Sequence, residues 1–447
     1  MNQDPSPSTM KLLFLIALLL SQVQATTFVD DDGTTHTIPE NPTIVTGAMD
    51  AVAFYHFGMS ANTIVATIGE RSASGSNYGG QYFDGNLVYS ELGHEDTVYD
   101  PKTFPADPSE DERAFLDSIA GDLSSECSSS NYYCDLVDVT YLNENGWPDV
   151  FVVGSYYSTL ISDEVKGNIT DQNVPLIILS EENDSIIRNM IEMTERMEEL
   201  ASALGVDVES SIVRNDKAAL CSAAESFQET AKQAHEAGVR AMATYMPYQE
   251  NEPGTTSAFL PNPDRDPVLL MMQNMGLPIL YNEHSGNYWE YQAGDFTAGG
   301  GEFKAEGTAS VSGVPYNVDF WLYDDRVSLD FLSKKFSEEW PHPALTAKQY
   351  AYWPSNARIL SYRHAAEILT IVGGQLEGAE RVSPASDCVE PVSDSEVRDL
   401  AAGEYSCLKV FPFDFCVESD SSPGASRLLA MSPVFVLFFV GTWVIMP

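Results

Sequence analysis

Positive charge is what this sequence has least of. Lys and Arg number 23 against 66 Asp and Glu, a formal net charge of −43 over 447 residues. Nucleic acids and anionic membrane surfaces reward clustered Lys and Arg, and both are disfavoured as partners on that ground. Histidine is scarce too, at 7 residues, and no H-x-H or H-E-x-x-H spacing occurs, so a dedicated metal site has little support. The chain has no C-x-x-C, no G-x-S-x-G and no glycine-rich phosphate loop. Structural zinc, the hydrolase nucleophile and nucleotide binding therefore lack their signatures, and the chain does not read as an enzyme. The acid excess has two readings, a field that concentrates cations or a surface kept soluble in saline surroundings, of which the second asks less.

Long apolar runs are confined to the two ends. Met10-Lys11 precedes LLFLIALLL at Leu12 to Leu20, and Val23-Gln24-Ala25 supplies a small-x-small cleavage site, so residues 1–25 read as a secretory signal. At the other end VFVLFFVGTWVIMP (434–447) follows Gly424-Ala425-Ser426 and a short spacer, the order of a glycosylphosphatidylinositol signal with attachment at Gly424. A single membrane-spanning helix over 428–447 is the alternative. In a secreted chain the six cysteines, Cys127, Cys134, Cys221, Cys388, Cys407 and Cys416, read as disulfides, with Cys127 and Cys134 the nearest pair. Asn168 and Asn183 stand in glycosylation sequons.

Between the ends the pattern is strand, helix, strand, twice over. Continuous apolar strands at 42–49, 63–69, 147–155 and 174–180 alternate with helices at 50–58 and 109–122. Residues 185–204 then place Ile186, Ile187, Met190, Ile191, Met197 and Leu200 near helical spacing, stopped by Gly205. A helix over 208–237 leads to strand 239–247, helix 267–276, strand 318–325 and helix 362–374. Such alternation predicts an α/β fold of two Rossmann-like lobes with parallel sheets, joined by one long helix. The boundaries are an N-terminal lobe at 26–184, a connecting helix at 185–205 and a C-terminal lobe at 206–380. A cysteine-containing extension (381–416), a tether (417–427) and the anchor segment follow.

Four stretches together resemble one family. "DDDGTTHTIPENPTIV" with the helix and strand after it, "WPDVFVVGS", "VPLIILS" with "IIRNMIEMTERMEELASALG", and "HPALTAKQYAYWPS" occur in the order and spacing of ABC-type solute-binding proteins. The cluster in question, class III, binds ferric siderophores, haem and cobalamin. The likeness covers residues 28–375, while 70–135 and 282–317 look longer and more irregular than that family needs, and 388–416 has no counterpart in it. With a eukaryotic anchor signal the chain resembles the diatom ferrichrome-binding, iron-starvation-type surface proteins.

The resemblance implies a ligand held between the lobes over the carboxyl ends of the parallel strands. The candidate residues are those just past these strands: Arg71, Tyr78 and Tyr82; Tyr156 and Tyr157; Tyr245 and Tyr248; Tyr323 and Arg326; Trp353 and Arg358. A ferric hydroxamate presents oxygens around an iron already fully coordinated, so the protein supplies donors and flat walls. Arginine can donate to two acceptors at once, and tyrosine pairs an aromatic face with one donor. Each also has a plain alternative, a solvated loop arginine or a tyrosine packed at a strand end. Cobalamin or haem is a further option, haem being disfavoured by the lack of a placed His. No cofactor is implied, and a receptor of this kind would pass its cargo to a ferrireductase or an endocytic partner. The rival from another class is an adhesive or structural glycoprotein that keeps the fold as scaffold.

Overall fold

Three consecutive acids, Asp30 to Asp32, turn the chain and fasten it. The computed structural model describes residues 26–68, 109–119, 121–123, 137–154, 158, 161–180, 188–244, 257–281, 288–292, 302–305, 310–312, 318–324, 343–353, 359–382 and 406–407. All belong to one compact unit ending at Phe413. Strand β1 (Thr26–Val29) pairs antiparallel with β2 (Thr35–Ile38), Val29 opposite Thr35. Asp30 closes the turn: Oδ1 accepts from the amides of Asp32 (3.1 Å) and Thr34 (2.8 Å), and Oδ2 meets His36 Nε2 at 2.7 Å. Gly33 sits at φ +79°, a conformation that only glycine takes without strain.

The N-terminal lobe is a parallel sheet. Its strands are β3 (Ile44–Gly47), β4 (Ile64–Ile68), β5 (Gly121–Asp122), β6 (Val150–Gly154) and β7 (Leu176–Leu179), in the order β5-β4-β3-β6-β7. Every residue of β3 and β6 is buried, as expected of strands covered on both faces. Helices α1 (Ala48–His56), α2 (Glu110–Ser118), α3 (Val139–Asn145) and α4 (Asp163–Asp171) connect them. Helix α2 begins with a capping box, in which Ser109 Oγ accepts from the Glu112 amide and the Glu112 carboxylate accepts from the Ser109 amide. Val45, Ala66, Ile68, Phe151 and Val153 pack on one sheet face with Val165 and Ile169 of α4.

The connector is α5 (Met190–Ala203), opened by a second capping box between Asn189 and Glu192. Its buried residues Met190, Ile191, Met193, Met197 and Leu200 fall at helical spacing on one stripe. The acidic turn reaches this helix. Asp31 Oδ2 accepts from the Ser180 amide (2.7 Å) and Arg188 Nη1 (2.8 Å), Oδ1 from Arg196 Nε (3.2 Å), and the Arg196 guanidinium lies 4.3 Å over the Phe28 ring. Burial pushes the Asp31 carboxyl up, but the Arg188 and Ser180 hydrogen bonds and both arginine charges outweigh it and hold it below its usual value.

The C-terminal lobe opens with α6 (Ser211–Glu236), followed by β8 (Ala241–Thr244), β9 (Ser257–Pro261), α7 (Pro267–Asn274) and β10 (Leu280–Tyr281). Strands β11 (Tyr288–Gln292), β12 (Glu302–Ala305), β13 (Ser310–Ser312) and β14 (Phe320–Asp324), a turn of helix α8 (Pro343–Thr346), β15 (Tyr350–Trp353) and α9 (Tyr362–Leu376) complete it. β15, β14 and β8 form a parallel sheet, and Ala241 bridges to Ile279 beside β10. A strand from the cysteine-containing extension, β16 (Ser406–Cys407), pairs antiparallel with β10. The stretch 282–317, irregular in sequence, contributes β11 to β13, which join β9 in an antiparallel sheet of order β13-β12-β11-β9. Helices α6 and α9 pack closely: a Cβ on Gly373 would meet Phe227 Cδ2 at 3.3 Å.

Candidate functional site

Among the described strands, the order reverses once in each lobe. The N-lobe sheet turns back between β3 and β6; in the C-lobe β8 and β14 are neighbours, with β10 outside the first and β15 outside the second. Open α/β sheets bind ligands past the carboxyl ends of the strands at such a reversal. Those ends are Gly47 and Gly154 in one lobe, Thr244 and Asp324 in the other.

The amino ends of the same strand pairs are stapled by one device used twice. Asp149, just before β6, accepts on Oδ2 from the Thr43 amide (2.8 Å) and Thr43 Oγ1 (2.7 Å), while the amides of Asp149 and Val150 donate to Thr43 O (2.9 and 3.1 Å). Asp319, just before β14, accepts on Oδ2 from the Arg240 amide (3.1 Å) and Arg240 Nε (3.2 Å), while the amides of Asp319 and Phe320 donate to Arg240 O (2.8 and 3.1 Å). In the C-lobe the staple is buried and extended. Asp319 Oδ1 accepts from the Val382 amide, and Gln349 Nε2 donates to the carbonyls of Asp319 and Glu380. Each staple fixes the register of the two strands that flank the reversal, and so the relative position of their carboxyl ends.

Of the candidate ligand residues, Arg71, Tyr78, Tyr82, Tyr156, Tyr157, Tyr245, Tyr248, Arg326 and Arg358 lie outside the described residues. Tyr323 and Trp353 lie within them, both at 0% exposure. Tyr323 stacks on Trp321 (6.0 Å between ring centroids, 19° between planes) and meets the Tyr350 ring edge-on at 6.0 Å. Burial pushes the Tyr350 phenol above its usual value. Tyr323 pairs with Tyr352 and Asp324 with Trp353, so strand alternation sends Tyr323 and Trp353 to opposite faces of the sheet. The structure does not bring these two side chains together. Among the sequons, Asn168 is half-buried on α4 and Asn183 is outside the described residues. Of the cysteines, Cys221 is on α6 and Cys407 on β16; Cys127, Cys134, Cys388 and Cys416 lie outside, as does Gly424. Among the described residues, no group of three His, Cys, Asp or Glu side chains is placed to hold a metal ion, and no helix is long and apolar enough to cross a membrane.

One polar chain crosses from lobe to lobe. His56, in the last turn of α1, meets Glu112 Oε1 through Nε2 at 2.5 Å and Ser361 Oγ through Nδ1 at 2.7 Å. A carboxylate only accepts, so Nε2 carries the hydrogen; Nδ1 donates to Ser361 Oγ when the ring is charged and accepts from the Ser361 hydroxyl when it is neutral. Ser361 is also the N-cap of α9, its Oγ accepting from the His364 amide (3.2 Å). All three side chains are buried. Burial pushes the Glu112 carboxyl up, but the His56 hydrogen bond and charge, with Ser109, pull it down to about 2. Beside this chain, Tyr362 presents its ring edge to Phe57 at 6.0 Å and donates its hydroxyl to Glu198 Oε2 on α5 (2.6 Å). Lys217 of α6 donates to Glu198 Oε1 (2.6 Å) and lies 5.0 Å over the Tyr362 ring. Burial and the Glu198 charge push the Tyr362 phenol above its usual value.

In the sequence His56 is an isolated histidine within the predicted helix 50–58, and neither Glu112 nor Ser361 is among the candidate ligand residues. Ser109-x-x-Glu112 was legible as a capping box, and Ser361 as a helix start. Their meeting through a histidine 305 residues from Ser361 carries no local signal.

No protein-family model matches the chain, and no curated protein is significantly similar in sequence. Among solved structures, the chain is similar to DesE, a ferric-siderophore receptor protein from Streptomyces coelicolor. The identity is 18%, the TM-score 0.53, and the match covers 80% of this chain and 100% of that one. A siderophore periplasmic binding protein from the fuscachelin gene cluster of Thermobifida fusca matches at 12% identity and TM-score 0.45, over 76% and 98% of the two chains. VctP, a periplasmic catecholate-siderophore binding protein from Vibrio cholerae, matches at 14% and 0.41, over 78% and 100%. The first of these likenesses, with the two parallel sheets, shows the fold: two α/β lobes of the class III solute-binding type.

Proposed function

We propose that this protein binds a ferric siderophore of the hydroxamate type between its two lobes and is a binding protein rather than an enzyme. The observation that carries the reading is the strand order. Among the described strands each lobe holds one reversal of a parallel sheet, and in sequence the strands there run on into segments bearing Tyr156 and Tyr157, Tyr245 and Tyr248, and Arg326. Arg71, Tyr78 and Tyr82 follow β4, and Arg358 follows β15. The class III likeness supports the reading at the level of fold alone, since folds host many functions. The hydroxamate preference rests on residue chemistry, with arginine and tyrosine donors for chelate oxygens and flat rings for an organic shell.

The same reading places the protein at the outer cell surface after secretion, held by a lipid anchor at Gly424 and glycosylated at Asn168 and Asn183. A disulfide at Cys221 supports an oxidising compartment. The test is a tryptophan-fluorescence titration of the full chain with ferrichrome. Saturable quenching in the micromolar range or below is expected, and its absence with ferrichrome and with other ferric hydroxamates overturns the proposal. Haem and cobalamin titrated in parallel decide between chelate classes.

A further inference from the structure

Thr46 and Thr67 interrupt two strands that are otherwise apolar, β3 (IVTG) and β4 (IVATI). Both are at 0% exposure. Valine has the same branched shape, so the hydroxyl is all that threonine adds at either place. Among the described residues neither hydroxyl finds a hydrogen-bond partner. A polar group shut away from water without a partner costs free energy, and most buried side-chain hydroxyls in folded proteins have one. The register puts the two together: Thr46 and Thr67 are Cα partners in the parallel β3–β4 ladder, each one residue inside the carboxyl end of its strand. Val45, Ala66 and Ile68 pack on one sheet face, so strand alternation sends both threonines to the other. Val152, the partner of Thr46 on β6, is apolar and fully buried, so its side chain offers them no donor or acceptor.

We propose that Thr46 Oγ1 and Thr67 Oγ1 form the binding site of a single buried water molecule that bridges β3 to β4. The inference stands apart from the siderophore-binding reading. Its geometry follows from the sheet. Equivalent atoms on register-matched neighbouring strands lie roughly 4.8 Å apart. A direct bond between two hydroxyl oxygens closes at about 2.7–2.8 Å, so the spacing is too wide for the threonines to satisfy each other. It matches one water between them, since two bonds of about 2.8 Å at a tetrahedral angle put their far ends about 4.6 Å apart. A hydroxyl both donates and accepts, so each threonine can turn to meet either a hydrogen or a lone pair of the water. Two bonds to protein groups fall within the range that holds a buried water. The bridge also works where the staple does not. Thr43 and Asp149 tie the amino ends of β3 and β6, whereas the water ties β3 to β4 near their carboxyl ends. Strand β3 is then fastened through side chains near both ends, to a different neighbour at each.

The experiment has two arms on the full-length protein. In a crystal structure of the wild type, resolved finely enough to show ordered solvent, one water is expected within hydrogen-bond distance of both oxygens. A structure with no ordered solvent between them, or with the two hydroxyls bonded directly, overturns the proposal. The second arm reads the bridge in solution through a double-mutant cycle followed by urea unfolding. Thr46→Val and Thr67→Val are each expected to lower the folding equilibrium constant about fivefold, because the surviving hydroxyl and the water are each left one bond short. The double variant removes both ends of the bridge and leaves no polar group unmatched. It is expected to return to within about twofold of wild type, so the two single effects do not add. Hydroxyls with no water between them predict another pattern, in which each valine raises stability and the gains sum in the double variant. Additive effects of either sign overturn the proposal.

Discussion

Lowering the pH tests the lobe junction at one group. The Glu112 carboxyl lies at about 2 in the fold against an ordinary 4.5. A carboxylate whose folded value is depressed contributes stability that is fully present above the unfolded value and lost as pH falls through the folded one, so the window runs from pH 4.5 down to about 2. The gap corresponds to about 3 kcal/mol, with little discount for screening because the side chain is 8% exposed. Acid weakens many of the 66 acidic residues at once, so wild type alone cannot isolate this term. Glu112→Gln can: the amide has one acceptor oxygen where the carboxylate serves both His56 and the Ser109 amide. Urea midpoints of the two proteins, measured from pH 7 to pH 3, are expected to differ by about 3 kcal/mol near neutrality, and by about half that at pH 3. A gap that stays constant over this range refutes the ion-pair account and leaves only a packing defect.

Two further perturbations use the same measurement. Asp149→Ala and Asp319→Ala remove staples of like geometry from different surroundings; the first is exposed and is expected to cost about 1 kcal/mol or less, the second is buried against Arg240 and is expected to cost about 3–5 kcal/mol. Equal costs would show that burial does not set the price of a staple. On α9, Gly374→Ala meets nothing within 4 Å and is expected to stabilise by about 0.5–1 kcal/mol, whereas Gly373→Leu drives into Phe227 and is expected to destabilise by about 1–3 kcal/mol, both read from thermal midpoints.

Periodicity carried most of the fold. The apolar runs at 42–49, 63–69, 147–155 and 174–180 became β3, β4, β6 and β7, because a strand buried on both faces has to be apolar at nearly every position. The helices at 208–237 and 362–374 came out close to α6 and α9, whose buried residues recur every three or four positions. What escaped was pairing between distant segments. The strands β11 to β13 are short and rich in Gly and acid around them, and only their antiparallel partners define them. The ligand residues were inferred from where parallel strands end, and that rule has no way of telling a side chain aimed past the strand from one folded into it. Tyr323 and Trp353 show the difference, since both sit at strand ends and both are enclosed by the lobe. The His56 chain was invisible for another reason: its members are ordinary in their local contexts, a helix end and two caps.

The acidic turn at Asp30 to Asp32 also sets an order of events during synthesis. The β1–β2 hairpin is complete by Ile38, but the groups that fasten it arrive much later, since Arg196 lies 165 residues beyond Asp31 and Ser180 lies 149. At a ribosomal pace of about 5–20 residues per second, the first segment waits on the order of 10 to 30 s for its anchor. During that interval Asp31 has neither arginine, and the hairpin has its own turn and the β1–β2 ladder to hold it. The earliest piece of the lobe to be made is therefore among the last to be secured, and a chain stalled before the connecting helix would carry it loose.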